Sequence, residues 1–393
     1  MFVERLACTR RATRPLLCLP LVLSGCGTVP PPRVDYPAPV ASSAAAAQPT
    51  AAPAPAAPVA PAPTPQPPPA SAETPRPVEA ELRFERSELL AETLYRNPEA
   101  LLRQIAPSGA MGVNRGQEGG ATRGTWFIDE QRFAATLVGA GINRNRRDLI
   151  EAGLRALEWG FQQQGTNGGF ATPEPVISSA YFVAAAAYSL WLVEAAGASE
   201  TLAARWSALR PRLARAAAWL ERAVEDDAMA SEFELFTSRR IVVGYALAMS
   251  GRVLETAQLV RSGERHLREA LRRQHEAGYF LERGGFDVGF QAEALVYLLR
   301  FYDQVASAEA RRQFERPIVR ALAWLESRVD ARGVVLVAGS TRSAGNLERD
   351  RTGQPRRVSP AALIRAFGLA RYVLGEPRYE ALARAIANAR QPA

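Results

Sequence analysis

His275, Tyr279 and Arg283 follow one another at four-residue intervals in a 393-residue chain that has only two histidines. Imidazole and phenol groups give and take protons, and a guanidinium grips a carboxylate through its planar fork. The three together suit removal of a proton from a carbon beside an acid group, with Arg283 neutralising the acid. Asp287 lies four residues further on. It suggests a second chemistry, bond hydrolysis between two carboxylates, with Glu232 or Glu234 across from it. Spacing along the chain leaves both open. It also leaves open a plainer role for His275, capping a helix C-terminus where a positive imidazole is favoured.

The elements that must position these groups read as helix, loop, helix over residues 265–302. The loop G-Y-F-L-E-R-G-G-F-D-V-G-F starts at Gly278, and Gly278, Gly284, Gly285 and Gly289 break the helical period. The first helix of this unit recurs. Arg155-Ala156-Leu157-Glu158-Trp159, Arg215-Ala216-Ala217-Ala218-Trp219 and Arg320-Ala321-Leu322-Ala323-Trp324 share a pattern, and Arg268-Glu269-Ala270-Leu271-Arg272 has it with the Trp replaced. A period of this size is one helical hairpin with its loops. Second helices are expected near 129–139, 176–195, 238–250, 290–304 and 360–374, and a last helix near 378–389. The 180–192 stretch is apolar nearly all round, which marks a helix buried on most sides. The first helices keep a charged stripe and belong outside. The expected fold is therefore all-α, an α/α toroid of five to six helical hairpins over residues 81–393, with an open α-solenoid as the rival.

Connections from outer to inner helices are long: 106–128, 165–175, 225–237, 278–289 and 330–359. Stacked hairpins put all of these at one end, and long loops with polar and aromatic residues tend to carry function. Around them lie Arg115, Trp126, Glu232, Arg239, Arg283, Gln291 and Asn346. Aromatic faces, guanidinium forks and amides are the equipment of a sugar-binding cleft. These seven are the expected substrate-binding residues, and His275, Tyr279 and Asp287 the expected catalytic ones.

The N-terminal part is a different kind of chain. Arg5, Arg10, Arg11 and Arg14 precede a short apolar run from Leu16 to Leu23, the layout of a secretory signal over residues 1–26. It ends in Leu23-Ser24-Gly25-Cys26, which resembles the bacterial lipobox. The resemblance implies that Cys26 carries fatty acyl chains such as palmitate and anchors the protein in the cell envelope. Gly27 rather than Asp after it would imply outer-membrane sorting, facing the periplasm, in enteric-type bacteria. Residues 27–80 are Ala/Pro-rich, too poor in apolar variety to build a core, and read as a disordered, extended spacer. All three cysteines fall in residues 1–26, and neither a metal-ligand cluster, a phosphate loop nor a dinucleotide fingerprint occurs, so no metal or cofactor is expected. The net charge of +8 favours anionic partners, and export argues against nucleic acid.

Gly284-Gly285-Phe286-Asp287-Val288-Gly289-Phe290-Gln291, followed by A-E-A-L-V-Y-L, resembles the Gly-rich aromatic turn that leads into an inner helix in helical-toroid carbohydrate enzymes, among them polysaccharide lyases of the alginate and heparinase type. That resemblance implies a groove for a polysaccharide, expected to be acidic. The functional expectation is a lipid-anchored envelope protein that binds or processes polysaccharide, with a lyase or glycoside hydrolase as the enzyme classes. The alternative is a non-catalytic scaffold or assembly factor of an envelope or exopolysaccharide system, with envelope protein partners.

Overall fold

The computed structural model of the protein describes residues 98–115, 126–196, 200–343, 348–350 and 354–391. The signal, Cys26, the Ala/Pro-rich segment and Asn346 lie outside the described residues. Within the unit Glu73–Ala393 the described chain is helical, with only isolated bridges in place of strands.

Five helices form an inner layer. The first is α2, Ala134–Asn143, which continues a 3-10 segment, Ile128–Phe133; a short α1, Pro98–Leu102, precedes both. The others are α4 (Pro175–Ala195), α8 (Thr237–Val253), α10 (Val288–Gln304) and α12 (Pro360–Leu374). The outer helices are α3 (Arg147–Gln162), α6 (Arg210–Ala223), α9 (Ala257–Leu271), α11 (Ala308–Glu326) and α13 (Pro377–Asn388). Two short helices, α5 (Glu200–Ser207) and α7 (Asp227–Leu235), complete the order. Each inner helix packs on the outer helix after it and on its inner neighbours, α2 on α4, α4 on α8, α8 on α10 and α10 on α12. This is the α/α toroid that the repeat predicts.

Side-chain pattern explains the layers. Outer helix α9 has a sharply amphipathic sequence, with Leu259, Leu267 and Ala270 buried and its arginines outward. Inner helix α4 is long and apolar enough to cross a membrane, yet 89% of its apolar window is buried inside the protein, so it is the core helix of the toroid. Of the inner helices, α10 starts on a side-chain cap set by its loop. The Asp287 carboxylate accepts from the Phe290 N–H (3.0 Å) at the head of α10.

The recurring Arg-Ala-x-x-Trp signature has a packing cause. Turns that leave an outer helix close through bridges such as Gln164–Phe170 and Gln274–Phe280 and carry a glycine at positive φ. That glycine lies flat against the next outer helix. A Cβ on Gly278 would stand 2.4 Å from the Arg320 carbonyl oxygen and 3.2 Å from Cβ of Trp324. Gly109 meets Arg155 and Trp159 in the same way, and Gly168 meets Arg215 and Trp219. Trp thus walls the socket in which the preceding turn sits. Between α6 and α8 the connection is instead the helix α7, and Arg272, just past α9, stands where α3, α6 and α11 carry Trp; α13 has no Trp, and there Gly333 meets Ala385 and Ile386. Buried glutamines clamp the same turns: Gln131 donates to the carbonyls of Gly109 (2.9 Å) and Ala156 (2.8 Å).

Candidate functional site

The long loops do gather at one end, where they surround a cleft of about 700 Å³ over the mouth of the inner helices. Its wall is mostly ionic. Asp129 and Arg132 come from the 3-10 segment, Glu174 and Tyr181 from the start of α4, Arg239 from α8, Phe290 and Glu293 from α10, and Arg342 from the loop before α12. Asp350, Arg356 and Arg357 stand on the rim.

Most of these groups are held in place by identifiable contacts. Arg132 donates to the Asp129 carbonyl (2.8 Å) and carboxylate (3.3 Å), and lies over the rings of Phe133 and Tyr181. Burial works against its charge, but Asp129, Glu293 and Glu130 outweigh it and raise the guanidinium above its ordinary value. Burial, then Glu293, pushes the Tyr181 phenol well up, with Arg132 and Arg342 pulling the other way. Tyr181 is therefore a neutral hydrogen-bonding group at neutral pH and no base. Arg239 lies over the Phe236 ring and bridges Glu174 (2.7 Å) and Glu232. Glu174 itself sits at φ +49 immediately before Pro175, which opens α4.

Arg342 is the anchor of the cleft wall. Its side chain is 3% exposed and makes ion pairs with Glu282 (2.9 Å) and Glu348 (2.9 Å). The guanidinium lies 3.4 Å from the Phe290 ring centre. Burial raises the Glu282 carboxyl, and Arg342 holds it down in part.

Below the cleft a second chamber of about 500 Å³ shares Arg132 and Glu293 with it. Tyr297, Arg300 and Arg365 supply its polar side, and Phe133, Val296 and Leu101 its apolar side. It lies between α2 and α12, the first and last inner helices, which do not pack along each other as the other inner neighbours do. Burial and then Glu293 push the Tyr297 phenol up to about 12, and burial pulls the Arg365 guanidinium down. Among the described residues no cluster of three His, Cys, Asp or Glu side chains stands ready for a metal ion.

The structure does not bring the expected site residues together. His275 and Tyr279 stack on each other at 4.4 Å in an outer turn, and Tyr279 packs on Phe286 and Trp324. Neither lines the cleft. Asp287 is 1% exposed, and its carboxylate is occupied by the N–H groups of Phe290, Arg342 and Ser343 and by the Ser343 hydroxyl. It ties the loop before α12 to the head of α10. Gln291 is buried and clamps the Gly278 turn, accepting from Phe280 N–H (2.8 Å). Trp126 packs edge-on against Trp159, and Arg115 donates to the Arg103 carbonyl. Arg283 lies over Phe236 and faces Glu348 at 3.4 Å, and Glu232 reaches the cleft only through Arg239. Of the expected catalytic and substrate-binding residues that are described, Arg239 alone lines the cleft. Of the groups that sequence reasoning passed over, Tyr181, Glu293 and Arg365 had a signal in common: each is a polar or charged residue in an element otherwise built for burial, such as Glu293 in F-Q-A-E-A-L and Arg365 in A-L-I-R-A-F. Arg132 sits among polar neighbours in I-D-E-Q-R-F and carried no such mark.

The fold and site define an α/α-toroid protein with a polar axial cleft. No family model matches the chain, and no curated protein matches it. Among solved structures it is similar to a D-mannose isomerase, with 11% identity, 79% of this chain and 85% of that chain covered, and a TM-score of 0.41. It is also similar to an unsaturated glucuronyl hydrolase variant with dGlcA-Glc-Rha-Glc, with 13% identity, 75% and 97% covered, and a TM-score of 0.38.

Proposed function

We propose that this chain is a lipid-anchored envelope protein, tethered through Cys26, whose toroid holds an acidic polysaccharide in the axial cleft. The observation that carries the reading is the lining of that cleft. Arg132, Arg239 and Arg342 alternate with carboxylates around the ring faces of Tyr181 and Phe290. Such a wall offers acceptors for hydroxyls and guanidinium groups that can exchange a carboxylate partner for the acid group of a sugar. Residues 26–393 keep a net charge of about +5 once Arg5, Arg10, Arg11, Arg14 and Glu4 of the signal are set apart, and this draws in a polyanion.

The test is retention of acidic and neutral polysaccharides by the full-length protein, with products followed by mass spectrometry. An acidic polysaccharide is retained, and Arg132→Gln or Glu293→Gln weakens retention about tenfold while the unfolding midpoint stays within a small shift. No retention of any polysaccharide, or variants that bind like the parent, would overturn the reading.

One observation favours catalysis over binding alone. Glu174 holds a left-handed backbone on the cleft wall, a strain of about 1–3 kcal/mol that collects at functional sites. Glu174 and Glu293 both line the cleft, and a hydrolase would need two such carboxylates about 5 to 10 Å apart. Saturated fragments that vanish in Glu174→Gln support a hydrolase. Unsaturated fragments that vanish in Tyr279→Phe return the chemistry to a lyase. Retention without cleavage leaves the assembly-factor role.

A further inference from the structure

Two charged side chains inside the toroid have no direct partner among the described residues. The Glu293 carboxylate is near enough to Arg132, Arg365, Tyr181 and Tyr297 to perturb all four. It nevertheless makes no hydrogen bond or ion pair among the described residues. The Nε–H of Arg365 is buried and also finds no hydrogen-bond acceptor there. Both groups line the second chamber, on α10 and α12. Both residues are part-buried, and charged groups in such places normally find a partner. With no partner among the described residues, the two groups point to a ligand.

The chamber describes that ligand. Arg365 offers donors for a carboxylate, with Arg132 and Arg300 on the same wall. Glu293 offers acceptors for hydroxyl donors and repels a second acid group. The Tyr297 ring, beside Val296 and Phe133, gives a face for the C–H side of a sugar. A volume of about 500 Å³ is in the range of small-molecule sites. We propose that the second chamber is a sugar-acid pocket. It takes one unit bearing a carboxylate and vicinal hydroxyls, with the carboxylate on Arg365 and the hydroxyls on Glu293. The proposal rests on the polysaccharide reading for the remainder of a longer ligand, which would leave through the cleft by way of the shared Arg132 and Glu293. The pocket itself can be tested without a polymer.

The experiment is calorimetric titration of the full-length protein with D-glucuronate, D-glucose and D-glucosamine, beside Arg365→Gln, Arg365→Lys and Arg132→Gln. Glucuronate is expected to bind about tenfold or more tightly than either other sugar. Arg365→Gln removes that preference, and Arg365→Lys, which keeps the charge but loses the fork, restores part of it. Circular dichroism and the unfolding midpoint identify a variant that has merely unfolded, and in that case Arg365→Lys carries the test. Equal affinity for glucuronate and glucose, no binding of glucuronate, or an Arg365→Gln protein that keeps the preference would each overturn the proposal. If glucuronate fails while a polysaccharide is retained, the pocket falls and the cleft reading stands. If glucuronate binds and every polysaccharide fails, the cleft reading falls and the pocket stands.

Discussion

Replacing Gly278 by alanine tests the account of the repeat more directly than any other change. The backbone there is at φ +107, and the added methyl would stand 2.4 Å from the Arg320 carbonyl oxygen and 3.0 Å from its carbon. Those are main-chain atoms of α11, so nothing flexible can swing aside. Backbone strain for an L residue at positive φ contributes about 1–2 kcal/mol. Forcing a methyl into a closed contact contributes about 1–3 kcal/mol more. The expected loss is about 3 kcal/mol. Gly284 is the control, because it too has positive φ (+79) but an added methyl there would meet nothing within 4 Å. Gly284→Ala should therefore lose only the backbone part, about 1 kcal/mol. Urea unfolding followed by far-UV circular dichroism measures both, and unchanged slopes identify the difference as native-state stability. Equal losses would refute the socket, since only contact with α11 distinguishes the two glycines. A cycle with Trp324→Ala adds a second check. Trp324 and Gly278 share the socket, so their effects should not add.

The remaining expectations concern charge. Burial, followed by Arg265 and Arg240, brings the His266 imidazole down to about 4 from 6.5. Above pH 6.5 both folded and unfolded chains hold it neutral, and between 6.5 and 4 only the unfolded chain takes the proton. Stability should therefore fall as the pH drops through that window, by about 3 kcal/mol in all, and His266→Leu should flatten this part of a urea-midpoint series. Asp287→Ala removes the cap of α10 and the tie to Arg342 and Ser343, at a cost of about 3 kcal/mol. Hydrogen exchange at the Arg342 and Ser343 amides should quicken with it, and unaltered protection there would show that the tie is unimportant. Arg342→Met strands the Glu282 carboxylate in the interior and should cost about 4 kcal/mol, most of it recovered when Glu282→Gln is added. A double variant no more stable than Arg342→Met would show that packing rather than the ion pair is lost.

The inner helices were legible because burial on all sides leaves a simple mark, a long run with almost no charge, as in 180–192. The expected limits of α12 coincide with the observed Pro360–Leu374, since Pro and Gly375 bracket it. The Arg-Ala-x-x-Trp signature gave the repeat, although its cause, a glycine from the preceding turn, is a contact between residues far apart in the chain and has no local trace. Most of the expected site residues lie away from the cleft for a related reason. Loop polarity is easy to see, but Asp287 and Gln291 spend theirs on backbone groups. Whether a polar side chain faces its own turn or the common axis depends on how hairpins stack. Glu293, two residues past Gln291 on the same helix, faces the axis.

The socket between each turn and the next outer helix also gives the toroid a direction. At three joints the glycine key of one hairpin meets the tryptophan lock of the next, so these hairpins are not interchangeable modules. Shuffling hairpins by recombination would succeed only when cut points lie inside the joint's own register. The α6–α9 joint, with α7 and Arg272 in place of glycine and Trp, accepts neither key nor lock of the other kind. The α11–α13 joint differs again, since Gly333 meets Ala385 and Ile386 and α13 has no Trp, so two joints would reject a copied unit of the common kind.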